Sequence, residues 1–206
     1  MPLPREIPRE ITFRKTLRGS ALTFTSTWGL FSPEHIDDGT RLLLENVSVK
    51  HTDTILDLGC GYGAVGLTLA RFVPRGRVHL VDKDFVAIEY AKLNARENHI
   101  NNVEIHLSNG FSHITKNTRF DCIVANLSAK ASKEFFWILF ADARTFLNPG
   151  GTITVVTISG LKEFIKRNFI EVFGNYEKIA HSRQHVVASA TKRTRRNHLK
   201  GLDFIP

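Results

Sequence analysis

The segment Asp57-Leu58-Gly59-Cys60-Gly61-Tyr62-Gly63 constrains this chain more than any other. Three glycines at alternate positions follow a short apolar run, Thr54–Leu58, and precede helically spaced residues, Ala64–Phe72. That order predicts a strand, a tight turn whose backbone needs conformations glycine alone adopts freely, and a helix starting at the turn. Val78–Val81 is a second strand, ending at Asp82. The alternation continues through helix Phe85–Glu97, strands Val103–Leu107 and Phe120–Ala125, helix Lys130–Phe146, strand Thr152–Thr157 and helix Leu161–Phe173. Asn148-Pro149-Gly150-Gly151 cannot continue the helix Lys130–Phe146 and reads as its stop. Tyr176–His181 and His185–Thr191 are expected to close the fold as an antiparallel pair. Strands alternating with helices predict an α/β, Rossmann-like fold: a mostly parallel sheet with helices on both faces.

Ahead of the loop, Pro2, Pro4 and Pro8 mark an irregular arm. Ile11–Thr16 and Ala21–Thr27 alternate as a hairpin around Leu17-Arg18-Gly19-Ser20. Ser32-Pro33-Glu34 has the marks of a helix start, a hydroxyl cap followed by proline and a carboxylate, and predicts a helix to about Asn46. The 206 residues suit one domain. The expected division is an N-terminal arm and hairpin over 1–31, a main domain over 32–191 and a basic tail over 192–206.

Two ligands compete for the glycine loop. Gly61-x-Gly63-x-x-Gly66, with Asp82 some way on, matches the dinucleotide fingerprint, in which an acidic residue lies about 20 positions downstream. The wider window is Asp57-x-Gly59-x-Gly61-x-Gly63, and Asp57 at the strand tip argues against a pyrophosphate, which a carboxylate repels. S-adenosylmethionine presents an ammonium and a sulfonium, which a carboxylate favours. On this reading Asp57, Gly59, Gly61 and Gly63 form the cofactor site, and Asp82 accepts hydrogen bonds from the ribose hydroxyls. Ser108 and Asn109, after the third strand, are placed to meet the adenine amino group, and Lys83 and Phe85 to flank the ring. For Phe85 a core position at a helix start is the alternative. A structural turn holding no ligand is the alternative for the loop as a whole.

Composition narrows the class. Apolar content of 42% and charged content of 23% are those of an ordinary globular protein. No apolar run reaches the ~20 residues that span a bilayer, and the N-terminus lacks a signal pattern, so a cytoplasmic protein without a membrane partner is expected. Cys60 and Cys122 read as reduced and buried, with no zinc spacing, and His35, His181 and His185 as surface or strand residues without metal or triad partners. Net charge is +8, and residues 192–206 contribute five Lys/Arg against one Asp, half of that total. A basic arm suggests a polyanionic partner, RNA above all, with a solvated tail as the alternative. Lys192, Arg193, Arg195 and Arg196 are the candidate phosphate contacts, joined by Lys130. Gly201–Pro206 is apolar enough to dock on the domain or a partner. Monomer and homodimer are equally open.

Several segments together resemble one family of class I S-adenosylmethionine-dependent methyltransferases, the small-domain family typified by ribosomal RNA guanine-N2 methyltransferases and archaeal relatives. The residues that carry the resemblance are Trp28-Gly29-Leu30-Phe31-Ser32, Asp37-Asp38-Gly39-Thr40, Ile55 to Gly63, Leu107 to Ser112 and Phe120 to Asn126. The resemblance implies a seven-stranded sheet of order 3-2-1-4-5-7-6 with the last strand antiparallel. It also implies that the Phe31-to-Gly39 segment closes over the cofactor, so that Phe31 joins the cofactor residues.

Such families hold the acceptor amine with Asn-Pro-Pro-aromatic at the end of the fourth strand: the Asn side chain and a carbonyl grip the amine, and the aromatic stacks on the base. This chain has Asn126-Leu127-Ser128-Ala129-Lys130 there. Only the asparagine remains, so Asn126 is the expected catalytic contact, close also to the cofactor, with helix capping as its alternative. Trp28, Phe31 and Trp137 are candidates for the missing stacking face. The function this implies is methylation of an exocyclic amine of an RNA base. The alternatives are a non-catalytic module that binds cofactor or RNA as a partner subunit, and a small-molecule methyltransferase.

Overall fold

The computed structural model describes residues 10–127 and 133–193. A hairpin comes first: β1 (Ile11–Leu17) pairs antiparallel with β2 (Ser20–Ser26). Arg18 and Gly19, at φ +50° and +80°, form its two-residue turn, the type I′ geometry that matches the twist of a hairpin. The main sheet has seven strands: β3 (Thr54–Leu58), β4 (Arg77–Asp82), β5 (Val103–Leu107), β6 (Phe120–Asn126), β7 (Leu147–Ile158), β8 (Glu177–His181) and β9 (His185–Thr191). Their spatial order is β5-β4-β3-β6-β7-β9-β8, and only β9 runs against its neighbours. Counted within this sheet alone, that is the expected 3-2-1-4-5-7-6. Five helices accompany it: α1 (Asp38–Asn46), α2 (Ala64–Ala70), α3 (Phe85–Glu97), α4 (Lys133–Phe146) and α5 (Lys162–Phe173).

Alternation along the strands separates two cores. Ile55, Cys122 and Val124 face one way, with Leu43, Leu67, Ile88 and Phe24 of α1, α2, α3 and the hairpin. Leu56, Ile123 and Ala125 face the other way, against α4 and α5. There Phe140 and Phe169 meet edge to face with centroids 4.8 Å apart, and each fully buried ring contributes about 2–3 kcal/mol of transfer free energy.

The hairpin is not part of the main sheet. The outer edge of β2 is completed by two side chains, Asn94 of α3 and Asn98, which caps the C-terminus of that helix. Asn94 accepts from Thr25 N (2.7 Å) and donates to Thr25 O (2.9 Å), and Asn98 accepts from Thr23 N (2.9 Å) and donates to Thr23 O (2.6 Å). Four residues of helix rise about 6 Å, close to the ~6.7 Å between alternate strand residues, so two amides at this spacing imitate a neighbouring strand.

Two sequence expectations are corrected. The helix predicted from Ser32 begins at Asp38, capped by Asp37, whose carboxylate accepts from Thr40 N at 2.9 Å. Ser32 instead sits at φ +47° in a turn and donates from its hydroxyl to His35 O at 2.7 Å. The second is the start of β7: α4 ends at Phe146, ahead of Asn148-Pro149-Gly150-Gly151 as expected, but the strand expected from Thr152 begins at Leu147, so these four residues lie inside it. Gly150, at φ +83°, and Gly151, where a Cβ would come within 2.9 Å of Phe120 O, accommodate an irregularity in the β6–β7 pairing. The irregular arm (residues 1–9) and most of the basic tail lie outside the described residues.

Candidate active site

The chain leaves β3 for β4 and β5 on one side, then returns through β6 on the other. The crevice at the carboxyl ends of β3 and β6 is therefore the switch point where open α/β sheets bind ligands. Everything predicted from the glycine loop gathers here.

Gly59 N and Cys60 N donate to Val81 O (2.9 and 3.0 Å), and Gly61 N donates to Asp82 Oδ2 (2.9 Å), so the turn is stitched to the tip of β4. Gly59 and Gly61 are at φ +76° and +55°, and a Cβ on either would meet no protein atom within 4 Å. Their bare backbone faces open space, as a close-lying ligand requires. Gly63 and Gly66 serve packing instead. Gly63 is the cap residue of α2, and a Cβ there would lie 2.8 Å from Leu67, while one on Gly66 would lie 2.6 Å from Leu80.

Asp82 keeps each oxygen on a backbone amide, Oδ2 on Gly61 N and Oδ1 on Asp84 N at 3.0 Å. A carboxylate oxygen has a second acceptor site, so this pinned group can still take two hydroxyls. Asp57 is 1% exposed and accepts from Gly66 N at 2.7 Å, so its carboxylate lies beneath the turn. Burial, with the Asp82 charge nearby, pushes its carboxyl up to about 7 against the pull of the Gly66 amide.

At the adenine end, Lys83, Asn109 and Phe85 are exposed. Phe85, 63% exposed, is not a core residue. Ser108 is buried, and its hydroxyl donates to Gly110 O (2.8 Å) and accepts from His113 N (3.1 Å). It shapes the turn, and Asn109 is the open member of the pair.

Asn126 ends β6 beside the N-terminus of α1. Its Nδ2 donates to Asp37 Oδ2 (2.9 Å) and to Thr40 Oγ1 (3.0 Å). The Asp37 segment is in turn tied to the glycine loop: the Tyr62 hydroxyl donates to Ser32 O (3.1 Å) and His35 O (3.4 Å). Burial, with Asp37 adding to it, raises the Tyr62 phenol above its usual range, so it stays a donor. His185, at the start of β9, completes the group, with Nε2 4.0 Å from Asp37 Oδ1 and Nδ1 buried without a partner among the described residues. Sequence reading set His185 aside, because only the antiparallel return of β9 brings it here. Asp37 and Thr40 were visible as a motif but not as neighbours of Asn126.

Of the three stacking candidates, Trp137 donates from Nε1 to Glu171 of α5 (3.3 Å) and belongs to the α4–α5 surface. Trp28 and Phe31, 52% and 66% exposed, flank the Gly29 turn in the segment that Tyr62 anchors. Lys192 is not a free cation. Its Nζ donates to Leu147 O at 2.6 Å and its backbone pairs with Gly150 and Gly151; burial, with Arg119 and Arg144 nearby, lowers its pKa. Arg193 is exposed, and Lys130, Arg195 and Arg196 lie outside the described residues. Cys60 and Cys122 are free and buried, as expected. A polar cleft of about 450 Å³ opens at the other end of the sheet, near Asp53, Asp121 and Gly151, and neither the glycine loop nor Asp82, Asn109 or Asn126 lines it. Among the described residues no group could hold a metal ion, and no helix is long and apolar enough to cross a membrane.

A glycine turn and a pinned acidic residue at the switch point, with an asparagine at the end of β6, define a class I methyltransferase fold. The chain belongs to the methyltransferase small domain family, whose model matches residues 21–189. It is 34% identical over 146 residues to the uncharacterized protein YbxB of Bacillus subtilis, covering 70% of this chain and 73% of that one. It is 29% identical over 200 residues to the ribosomal RNA large subunit methyltransferase G of Shewanella loihica, covering 92% of this chain and 49% of the relative. Among solved structures, the T. thermophilus 16S rRNA N2 methyltransferase RsmC, in complex with AdoMet and guanosine, superposes with a TM-score of 0.83 at 26% identity, covering 92% of this chain and 52% of that one. The chain thus spans about half the length of these two ribosomal RNA methyltransferases.

Proposed function

We propose that this chain transfers a methyl group from S-adenosylmethionine to an exocyclic amine of a base in RNA. The observation that carries the reading is Asn126: both protons of its Nδ2 are taken by Asp37 and Thr40, which turns its carbonyl oxygen into the group available to an incoming N–H. The ribosomal RNA methyltransferases it resembles, one of them solved with AdoMet and guanosine, support the substrate class.

The residues present fit the methyl donor. Open backbone at Gly59 and Gly61 admits its methionine and ribose parts, Asp82 takes the ribose hydroxyls, and Asp57 acts on its positive charge from beneath the turn. Lys83, Phe85 and Asn109 border the adenine, and Phe31 closes from the opposite side. When bound, S-adenosylmethionine supplies an electrophilic methyl on a positively charged sulfur. Asn126 aims the amine nitrogen at that methyl by holding one of its N–H bonds, and the proton leaves to water after transfer, so no strong base is required. A base in structured RNA must be splayed or flipped to reach such a pocket, and Trp28 and Phe31 offer it a stacking face in place of the missing motif aromatic. Arg193, Arg195 and Arg196 supply phosphate contacts; Lys192 anchors the start of this tail and is not itself a contact.

Tritiated S-adenosylmethionine incubated with fractionated RNA, DNA and protein tests the reading. Incorporation into RNA is expected, lost in Asn126→Ala while cofactor affinity stays within about twofold. Cofactor binding without incorporation into any fraction overturns it, as does full turnover by the variant. Truncation after Arg193 should weaken RNA binding and flatten its salt dependence; an unchanged salt slope removes the tail from the interface.

A further inference from the structure

The acceptor half of the site is built unlike the motif it replaces, and the replacement lies on the other side of the asparagine. Leu127 follows Asn126 where a proline stands in the resembled motif, so local backbone stiffness does not fix the amide. Asp37 Oδ2 accepts from Asn126 Nδ2 at 2.9 Å and from Thr40 N at 2.9 Å, while Thr40 Oγ1 accepts the second Asn126 proton at 3.0 Å. A primary amide has two N–H donors, and both are used. The flipped amide would set its oxygen against the Asp37 carboxylate and lose that bond; the Thr40 hydroxyl can donate as well as accept, so it is Asp37, an acceptor only, that enforces the orientation. Among the described residues, no hydrogen bond is recorded to Asn126 Oδ1.

Asp37 is itself well held. It caps α1, its neighbouring backbone is anchored by Tyr62 from the glycine loop, and Gly39 leaves room for His185, where a Cβ would come within 3.0 Å of the ring. We propose that Asp37, seconded by Thr40, is a positioning residue that locks the Asn126 amide with its carbonyl oxygen toward the acceptor, so that the site selects a group that donates an N–H and rejects one that only accepts. This rests on the function proposed above. It adds that the orienting element belongs to the N-terminus of α1 rather than to the residues after Asn126.

Serine caps helices about as well as aspartate but is too short to reach Asn126, whereas asparagine has the reach for both bonds. Asp37→Ser is therefore expected to keep the helix and lose the lock, and Asp37→Asn to keep both. The first readout needs no substrate. In 15N-labelled full-length protein the Asn126 side-chain amide, assigned by its disappearance in Asn126→Ala, should exchange slowly. It should exchange at least about tenfold faster in Asp37→Ser, and near the original rate in Asp37→Asn. Thr40→Val, which removes one of the two acceptors, should fall between them and serves if Asp37→Ser fails to fold. The second readout is methyl transfer. Asp37→Ser should lower kcat about tenfold or more with cofactor Kd within about twofold, and Asp37→Asn should restore it.

Unchanged amide exchange in both Asp37→Ser and Thr40→Val overturns the proposal, as does full turnover by Asp37→Ser. If the function itself is wrong, wild type shows no incorporation, yet amide exchange still decides whether Asp37 holds Asn126. If only the positioning is wrong, Asn126→Ala is inactive while Asp37→Ser is not.

Discussion

Asp57 gives the strongest prediction about pH. The group is fully enclosed, bonded to Gly66 N, and titrates near pH 7, far above its ordinary value of 3.8. Between about pH 4 and pH 7 the folded protein holds a proton that the unfolded chain has released. The stabilisation this brings is complete below pH 3.8 and is lost as pH rises through about 7. A difference of roughly 3 pH units at 1.36 kcal/mol each makes this about 4 kcal/mol. A positively charged ligand over the turn reverses the preference, because it favours the carboxylate and expels the proton. S-adenosylmethionine binding should therefore release up to one proton at pH 6, and Kd should rise about tenfold for each pH unit below about 6. Titration calorimetry from pH 5 to 7.5, in two buffers of different ionisation enthalpy, measures both quantities. Asp57→Asn keeps an acceptor for Gly66 N and removes the titration, so its affinity should be lower at pH 7.5 and flat across the range. A wild-type Kd that is flat from pH 5 to 7, or the same slope in Asp57→Asn, refutes the reasoning.

Gly66→Ala should abolish cofactor binding and cost about 1–3 kcal/mol in denaturant unfolding, because its Cβ would strike Leu80 at 2.6 Å and Asp57 Oδ2 at 2.9 Å. Asn94→Ala removes the partners of Thr25 N, Thr25 O and Tyr62 O in a buried setting, and should lower stability by about 2–4 kcal/mol, read as a shift in urea midpoint. Lys192→Met should lower the melting temperature measurably while RNA affinity changes less than in Arg193→Ala, since the Lys192 ammonium is held by the Leu147 carbonyl; equal losses of affinity would reject the assignment.

Most of the sheet was visible from periodicity because its strands are short apolar runs between helices with regular spacing. Thr54–Leu58, Phe85–Glu97, Val103–Leu107 and His185–Thr191 lie where the pattern put them. Local chemistry misled where tertiary contacts outweigh it. Ser32-Pro33-Glu34 has a helix-start pattern, yet Tyr62 takes the Ser32 and His35 carbonyls and holds the segment as a turn. Pro149 and the two glycines end α4 as they should, yet they also hid the start of β7, where Gly151 needs its missing side chain to pass close to Phe120. In the site, contributors that stand next to each other in sequence were readable: the glycines, and Asp82 at a strand end. Asp57 is part of the loop motif in sequence, but its burial could not be read from the chain. His185 meets Asp37 from 148 positions away, a contact that no local pattern encodes.

The two amides that complete the hairpin also govern how this protein behaves among copies of itself. A strand edge with unpaired N–H and C=O groups is a template for any passing strand, and β2 would present one if Asn94 and Asn98 were absent. Closing that edge with side chains needs no further strand. Replacing both asparagines should therefore change solution behaviour as well as stability: the hairpin, still carrying Leu22 and Phe24, becomes a seed for edge-to-edge association, seen as concentration-dependent growth in light scattering well below the melting temperature.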